Sequence, residues 1–148
     1  SNRGGWQSDT NLWNREVFKP LLEKTTNITQ SIIGDISDKK LQMVIRSMWG
    51  NINPKGGMNF THIHPSGWMS GVYYIQLPKD NNIISFEDPR PARMMDFQRS
   101  CLVKDEDFDY QVKVGDLILF PSWLPHFVLP NTSEENRISI SFNIELLV

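Results

Sequence analysis

The chain carries three histidines, and their spacing is what suggests chemistry. Two stand as His62-Ile63-His64. The third, His126, closes the run Gly115-Asp116-Leu117-Ile118-Leu119-Phe120-Pro121-Ser122-Trp123-Leu124-Pro125-His126. In an extended strand, residues two apart point to the same face, so His62 and His64 can offer both imidazoles to one point. A third imidazole arriving from elsewhere completes one face of a metal ion and leaves its other positions open to oxygen and substrate. An isolated histidine is more often a surface or satisfied core residue. The paired spacing instead favours a metal site made by His62, His64 and His126.

A second pattern lies near the C-terminus. Arg137, Ser139, Ser141 and Asn143 alternate with Ile138, Ile140 and Phe142. On a strand this places a polar row behind an apolar row, which suits a strand whose second face lines a cavity. The competing role for Arg137 is a surface ion pair with Glu134 or Glu135.

These residues need a scaffold, and the sequence predicts a largely β one. With 148 residues, 39% hydrophobic content and a net charge of −2, the chain fits a single domain with a two-layer core. A helical opening is expected over about 9–37: Asp9 or Thr10 as cap, an apolar face through Leu12, Trp13, Val17, Phe18, Leu21 and Leu22, Pro20 breaking or starting a helix, and Gly34 as a stop. From about 41 to 148 the signature changes to short strands: Leu41–Asn53, Met58–His64, Met69–Leu77, Ile83–Phe86, Tyr110–Val114, Asp116–Phe120, Phe127–Leu129 and Arg137–Leu147. Turn residues such as Asn53-Pro54-Lys55-Gly56-Gly57 separate them. Strands without intervening helices argue for a sandwich or jelly roll and against βαβ units. The longest irregular stretch, Asp88 to about Asp107, is expected to border the site.

Composition also excludes. There is no basic excess to drive binding to a phosphate backbone, so nucleic acid is not an expected partner. No apolar run approaches a membrane span, and no signal peptide opens the chain. The single cysteine, Cys101, has no intrachain partner and reads as a packed thiol. No Gly-x-Ser-x-Gly elbow or phosphate-binding Gly-x-x-x-x-Gly-Lys motif occurs. A cytoplasmic location is compatible with all of this. The chain opens on Ser1-Asn2 rather than Met, which leaves room for a longer natural N-terminus.

Taken together, His62-Ile63-His64-Pro65, Ser70-Gly71-Val72-Tyr73-Tyr74-Ile75, Phe86-Glu87-Asp88-Pro89, Gly115 to His126, and Arg137-Ile138-Ser139-Ile140-Ser141-Phe142-Asn143 form an ordered set. From roughly Trp49 to the C-terminus this order resembles the 2-oxoglutarate and iron(II)-dependent oxygenases, and within them the small oxygenase-like proteins of marine bacteria and their phages. The resemblance implies a double-stranded β-helix, or jelly roll, with Fe(II) held by His62, His64 and His126. It further implies 2-oxoglutarate as cosubstrate, its far carboxylate bound by Arg137 with help from Ser139 and Tyr74. Asn51 becomes a candidate for contact with the cosubstrate. The activity implied is oxidative decarboxylation of 2-oxoglutarate to succinate and CO₂, coupled through O₂ to hydroxylation of a small molecule or a protein side chain. A homodimer is compatible with the pattern, and a phage-encoded member would act in its host's cytoplasm.

His64 departs from the superfamily pattern, which has Asp or Glu at that position. Three neutral imidazoles leave the metal its full double charge. Three-histidine sites occur in cupin-type dioxygenases that use no 2-oxoglutarate, and Gly56, Gly115, Pro121 and His126 match cupin spacing. The cupin glutamate is missing, however: Trp68 and Met69 stand where it would be, and cupins have no use for Arg137. Glu87 or Asp88 could replace His64 as third ligand, and a non-catalytic metal-binding jelly roll remains a further alternative. The oxygenase with His64 as ligand is the preferred expectation.

Overall fold

The computed structural model describes residues 1–38, 41–65, 67–91 and 108–147. Ten strands form two antiparallel five-stranded sheets. The larger has the order β2 (Trp6–Gln7), β3 (Gln42–Asn53), β10 (Arg137–Leu147), β5 (Met69–Gln76), β8 (Leu117–Pro121). The smaller runs β1 (Asn2–Arg3), β4 (Met58–His62), β9 (His126–Val128), β6 (Ile83–Phe86), β7 (Phe108–Gln111). Facing antiparallel sheets with crossing connections make the jelly roll that the sequence predicts.

Period-2 alternation decides what each face does. On β10, Ile140, Phe142 and Ile144 point to a core shared with Met43, Ile45 and Met48 of β3 and with the helical opening. Their neighbours Arg137, Ser139 and Ser141 face the space between the sheets, where they line a cavity. The β3–β10 register slips between Asn143 and Ile144. This bulge keeps Ile45 and Met48 on the same core face although they are three residues apart. A second core of Val72, Tyr74, Ile84, Val112 and Phe120 fills one side of the inter-sheet space.

The helical opening is more broken than expected. Two short 3-10 turns, Leu12–Asn14 and Glu16–Phe18, precede α1 (Lys19–Ile36). Pro20 lies in the first turn of α1 and therefore starts it, since its missing N–H would be unbonded there anyway. Gly34 does not stop the helix, which runs on to Ile36. Thr25, Thr29 and Ile33, spaced four apart, form its buried stripe. Trp13 and Phe18 pack on the larger sheet's core, as predicted.

Strand boundaries moved mostly at turns. The expected strand Tyr110–Val114 lies at Phe108–Gln111, with Lys113 and Asp116 closing a turn instead. The first two strands were not predicted at all. Their connection depends on Gly4, with φ of +68°, and on Gly5, where a Cβ would meet Asn53 Oδ1 at 2.7 Å. This turn carries the chain from the edge of one sheet to the edge of the other. Of the long irregular stretch, Asp88–Pro91 is described; the rest, with Cys101, lies outside the described residues.

Candidate metal centre and anion pocket

All seven residues expected to form the site line one cavity between the sheets, with an empty volume of about 570 Å³ including its mouth. The smaller sheet supplies the imidazoles. His62 on β4 and His126 on β9 are direct cross-strand partners, and His64 follows two residues after His62. One nitrogen from each ring lies within 4.8 Å of the others. Such a cluster would be repulsive if protonated, so the rings need to be neutral.

The hydrogen bonds show which nitrogen is available. His62 Nδ1 lies 2.7 Å from the Phe60 carbonyl oxygen, and His126 Nδ1 lies 3.0 Å from that of Leu124. A carbonyl only accepts, so both Nδ1 atoms carry the proton and both Nε2 atoms keep their lone pairs. His64 Nδ1 lies 2.6 Å from Asn143 Oδ1, giving it the same tautomer. Ser1 Oγ is 3.2 Å from His62 Nε2. Burial lowers the pKa of all three rings, in His126 to about 4. Three neutral nitrogen donors, each oriented by an acceptor on its other side, are what an iron-type centre with open positions requires.

The acidic alternatives point elsewhere. Glu87 accepts a hydrogen bond from Thr61, and Asp88 is bonded by the guanidinium of Arg90. Among the described residues, the histidine triad is the only His/Cys/Asp/Glu cluster with metal-binding spacing.

The larger sheet supplies the opposite wall. Arg137, only 4% exposed, donates through Nη1 to the Asn81 carbonyl and lies over the Tyr74 ring at 5.2 Å. No carboxylate among the described residues forms an ion pair with it, and Glu134 is paired with Lys55 instead. The Tyr74 hydroxyl is fully buried beside the Arg137 guanidinium, which can only donate to it, and its O–H has no acceptor. Burial pushes its pKa up to about 12, against the downward pull of Arg137, so it remains a donor. A buried guanidinium beside an unused phenol donor, with Ser139 one strand over, is a pocket shaped for an anion. Desolvation lowers the Arg137 pKa, a cost that a bound anion would offset.

Asn51 lines the cavity, with both ends of its amide occupied: it accepts from Gln7 Nε2 at 2.7 Å and donates to Ser141 Oγ at 2.9 Å. Gln7 was invisible to sequence reasoning, because a two-residue edge strand has too little periodicity to read. Trp49, also overlooked, stacks on His64 with ring centroids 5.6 Å apart. Its place two residues before Asn51, on the same strand face, was the signal. Of the tryptophans flanking the histidine motifs, Trp68 packs on the larger sheet's core and Trp123 is exposed at a turn.

Comparison with known proteins bears on the fold and the family. In structure, the viral collagen prolyl hydroxylase vCPH from Paramecium bursaria Chlorella virus-1, solved as a 2OG complex, matches with a TM-score of 0.65 at 13% identity, over 100% of this chain and 81% of its own. HygX from Streptomyces hygroscopicus, solved with nickel, 2-oxoglutarate and hygromycin B, gives 0.61 at 14% identity, over 97% and 70%. An oxidoreductase of the 2OG-Fe(II) oxygenase family from Burkholderia pseudomallei gives 0.58 at 14% identity, over 76% of this chain and 50% of its own, so the chain spans half the length of that protein. These likenesses are of fold. No curated protein matches the chain in sequence. Residues 47–143 match the family model described as "Putative 2OG-Fe(II) oxygenase", a span that holds all three histidines, Arg137 and Ser139 and weighs against the cupin reading. The chain belongs to this family of 2OG-Fe(II) oxygenases.

Proposed function

We propose that the protein is an Fe(II)- and 2-oxoglutarate-dependent hydroxylase whose metal is held by His62, His64 and His126. The observation that carries this reading is the division of labour across the cavity. Three imidazoles whose ligand nitrogens lie within 4.8 Å of one another stand on or just past one sheet, and a buried guanidinium with an unspent phenol donor stands on the other. A dicarboxylate can span that gap, with one end at the metal and the other paired to Arg137. When bound, the metal and cosubstrate supply oxidative decarboxylation of 2-oxoglutarate to succinate and CO₂, coupled to hydroxylation of the substrate by O₂. Arg137 fixes the far carboxylate by charge-assisted hydrogen bonds, and the Tyr74 and Ser139 hydroxyls fill its remaining acceptor positions. Asn51, tied to Gln7 and Ser141, stiffens the adjoining wall. Val72, Ile84 and Phe120 also line the cavity and keep water from its apolar side.

The substrate is a small molecule or a protein side chain. The range of this reading is supported by the similar folds of vCPH, a collagen prolyl hydroxylase, and HygX, crystallised with hygromycin B. The test is spectroscopic and then catalytic. Anaerobic Fe(II) with 2-oxoglutarate is expected to give a weak visible charge-transfer band. Admitting O₂ should then release succinate, faster in the presence of a productive member of a peptide and metabolite panel. Iron binding with neither the band nor any succinate would exclude 2-oxoglutarate as cosubstrate. The oligomeric state, with a homodimer as the expectation, is read from the mass in solution.

A further inference from the structure

We propose that Asn143 is the positioning residue of His64, the group that turns its Nε2 toward His62 and His126; this rests on the reading of His64 as the third ligand. The other two rings are oriented by backbone carbonyls two residues before them, Phe60 on β4 and Leu124 in the turn that leads into β9. No side-chain substitution removes those acceptors. His64 lies past the end of β4, where the backbone bonds to Ser122 instead, its N–H donating to the Ser122 carbonyl at 2.9 Å. Its ring is therefore held by a side chain of the opposite sheet.

Asn143 is built for that task. It is the cross-strand partner of Ser70 on β5. Its Oδ1 accepts from His64 Nδ1 at 2.6 Å and from Ser70 Oγ at 2.9 Å. Ser70, 1% exposed, is in turn 2.8 Å from the Oγ of Ser122, which is fully buried. With Ser70 Oγ donating to Asn143 Oδ1 and held by Ser122 Oγ on its other side, the amide oxygen, not its NH₂, faces the imidazole. The reverse orientation would make His64 Nδ1 an acceptor and put the proton on Nε2, where it would block a metal. Trp49 stacks on the ring and fixes its plane, so Asn143 has only its tautomer and tilt to set. Of the three ligands, His64 is thus the one whose donor strength is set by a replaceable side chain, 79 positions away in sequence.

The experiment is anaerobic titration of the full chain with Co(II), read by its visible d–d bands and by competition with a chelating dye. The variants are Asn143→Leu, Asn143→Asp, Ser70→Ala and His64→Ala. Asn143→Leu is expected to weaken Co(II) by about 10–100-fold, the usual scale for loss of an outer-shell partner, and to change the d–d spectrum. Asn143→Asp keeps an acceptor at the same reach and should restore both affinity and spectrum. Ser70→Ala should weaken binding in the same direction by less. Wild-type affinity in Asn143→Leu alongside a loss in His64→Ala overturns the proposal while leaving His64 a ligand. Wild-type affinity in His64→Ala overturns the ligand reading, and the proposal with it. Equal losses in Asn143→Leu and Asn143→Asp with an unchanged spectrum would mean packing alone. Should Asn143→Leu fail to fold, unchanged Co(II) binding in Ser70→Ala overturns the proposal.

Discussion

The Tyr74 O–H is buried without an acceptor, and that single atom gives a prediction with two opposite signs. An unsatisfied buried donor costs stability, so Tyr74→Phe should leave the ligand-free protein as stable or up to about 1 kcal/mol more stable. The same change should weaken 2-oxoglutarate by about 1 kcal/mol, because in the proposed complex the bound carboxylate is that donor's acceptor. Thermal melts with and without cosubstrate check both signs; a purely structural tyrosine would move both measurements the same way. Arg137→Ala should cost roughly 2–4 kcal/mol of cosubstrate binding, the scale for losing one side of a buried charge-assisted pair, and leave metal affinity nearly intact. Titration of the metal-loaded variant measures it. The histidines predict a pH window as well. Protons would compete with the metal for unperturbed imidazoles below about pH 6.5, but burial lowers the pKa of all three rings, in His126 to about 4. Metal binding should therefore persist well below pH 6.5 and fade toward pH 4, as Co(II) titrations across that range will show. Ligand-free stability runs the same way for a different reason. As pH falls below about 6.5 the unfolded chain takes up protons that the folded rings refuse, so stability falls until each folded ring protonates in turn, His126 at about 4.

At the scale of elements, the strands that carry the site were the most legible parts of the sequence. β10 announced itself through the alternation of Arg137, Ser139 and Ser141 with Ile138, Ile140 and Phe142, and its limits, Arg137–Leu147, are those expected. The histidine pair was readable from its spacing, although the strand expected over Met58–His64 ends at His62 and leaves His64 just past it; Tyr74 was singled out by the family resemblance and not by periodicity. What was not legible depends on contacts distant in sequence. β1 and β2 are two residues each and exist only because β4 and β3 offer edges to pair with. Gln7 therefore reached the site unannounced, and the bond from Asn143 to His64 required knowing which strands become neighbours. Gly34 misled because glycine ends helices when the chain must turn, whereas α1 continues across the larger sheet for another two residues. That helix carries its own prediction. The hydroxyls of Thr25 and Thr29 are buried with no partner, so Thr25→Val and Thr29→Val should each stabilise the protein or leave it unchanged, within about 1 kcal/mol. Gly71 on β5 behaves oppositely. A Cβ there would lie 2.2 Å from Phe142 Cζ and 2.9 Å from Leu119 Cδ2. Gly71→Ala should thus destabilise by about 1–3 kcal/mol through overpacking, and chemical denaturation compares the three variants directly.

For the whole molecule, the decisive feature is that the two halves of the site lie on different sheets. The imidazoles stand on or just past β4 and β9, while the anion pocket stands on β10 and β5. A metal alone engages only the smaller sheet and its adjoining loop. A 2-oxoglutarate molecule bound to that metal and to Arg137 ties one sheet to the other across the cavity. Each ligand that binds only the folded state stabilises by RT ln(1 + [L]/Kd), about 2.7 kcal/mol at a concentration 100 times its Kd. Ni(II), which keeps the complex from turning over, should accordingly raise the melting temperature, and 2-oxoglutarate added to the Ni(II) form should raise it again. Without metal, 2-oxoglutarate has lost one of its two anchors and should raise it far less. Arg137→Ala should keep the Ni(II) increment and lose most of the second, whereas His126→Ala should lose both. A melting temperature raised equally by 2-oxoglutarate with and without Ni(II) would mean that the dicarboxylate binds at Arg137 independently of the histidines. The two walls would then be separate sites sharing one cavity rather than a single centre.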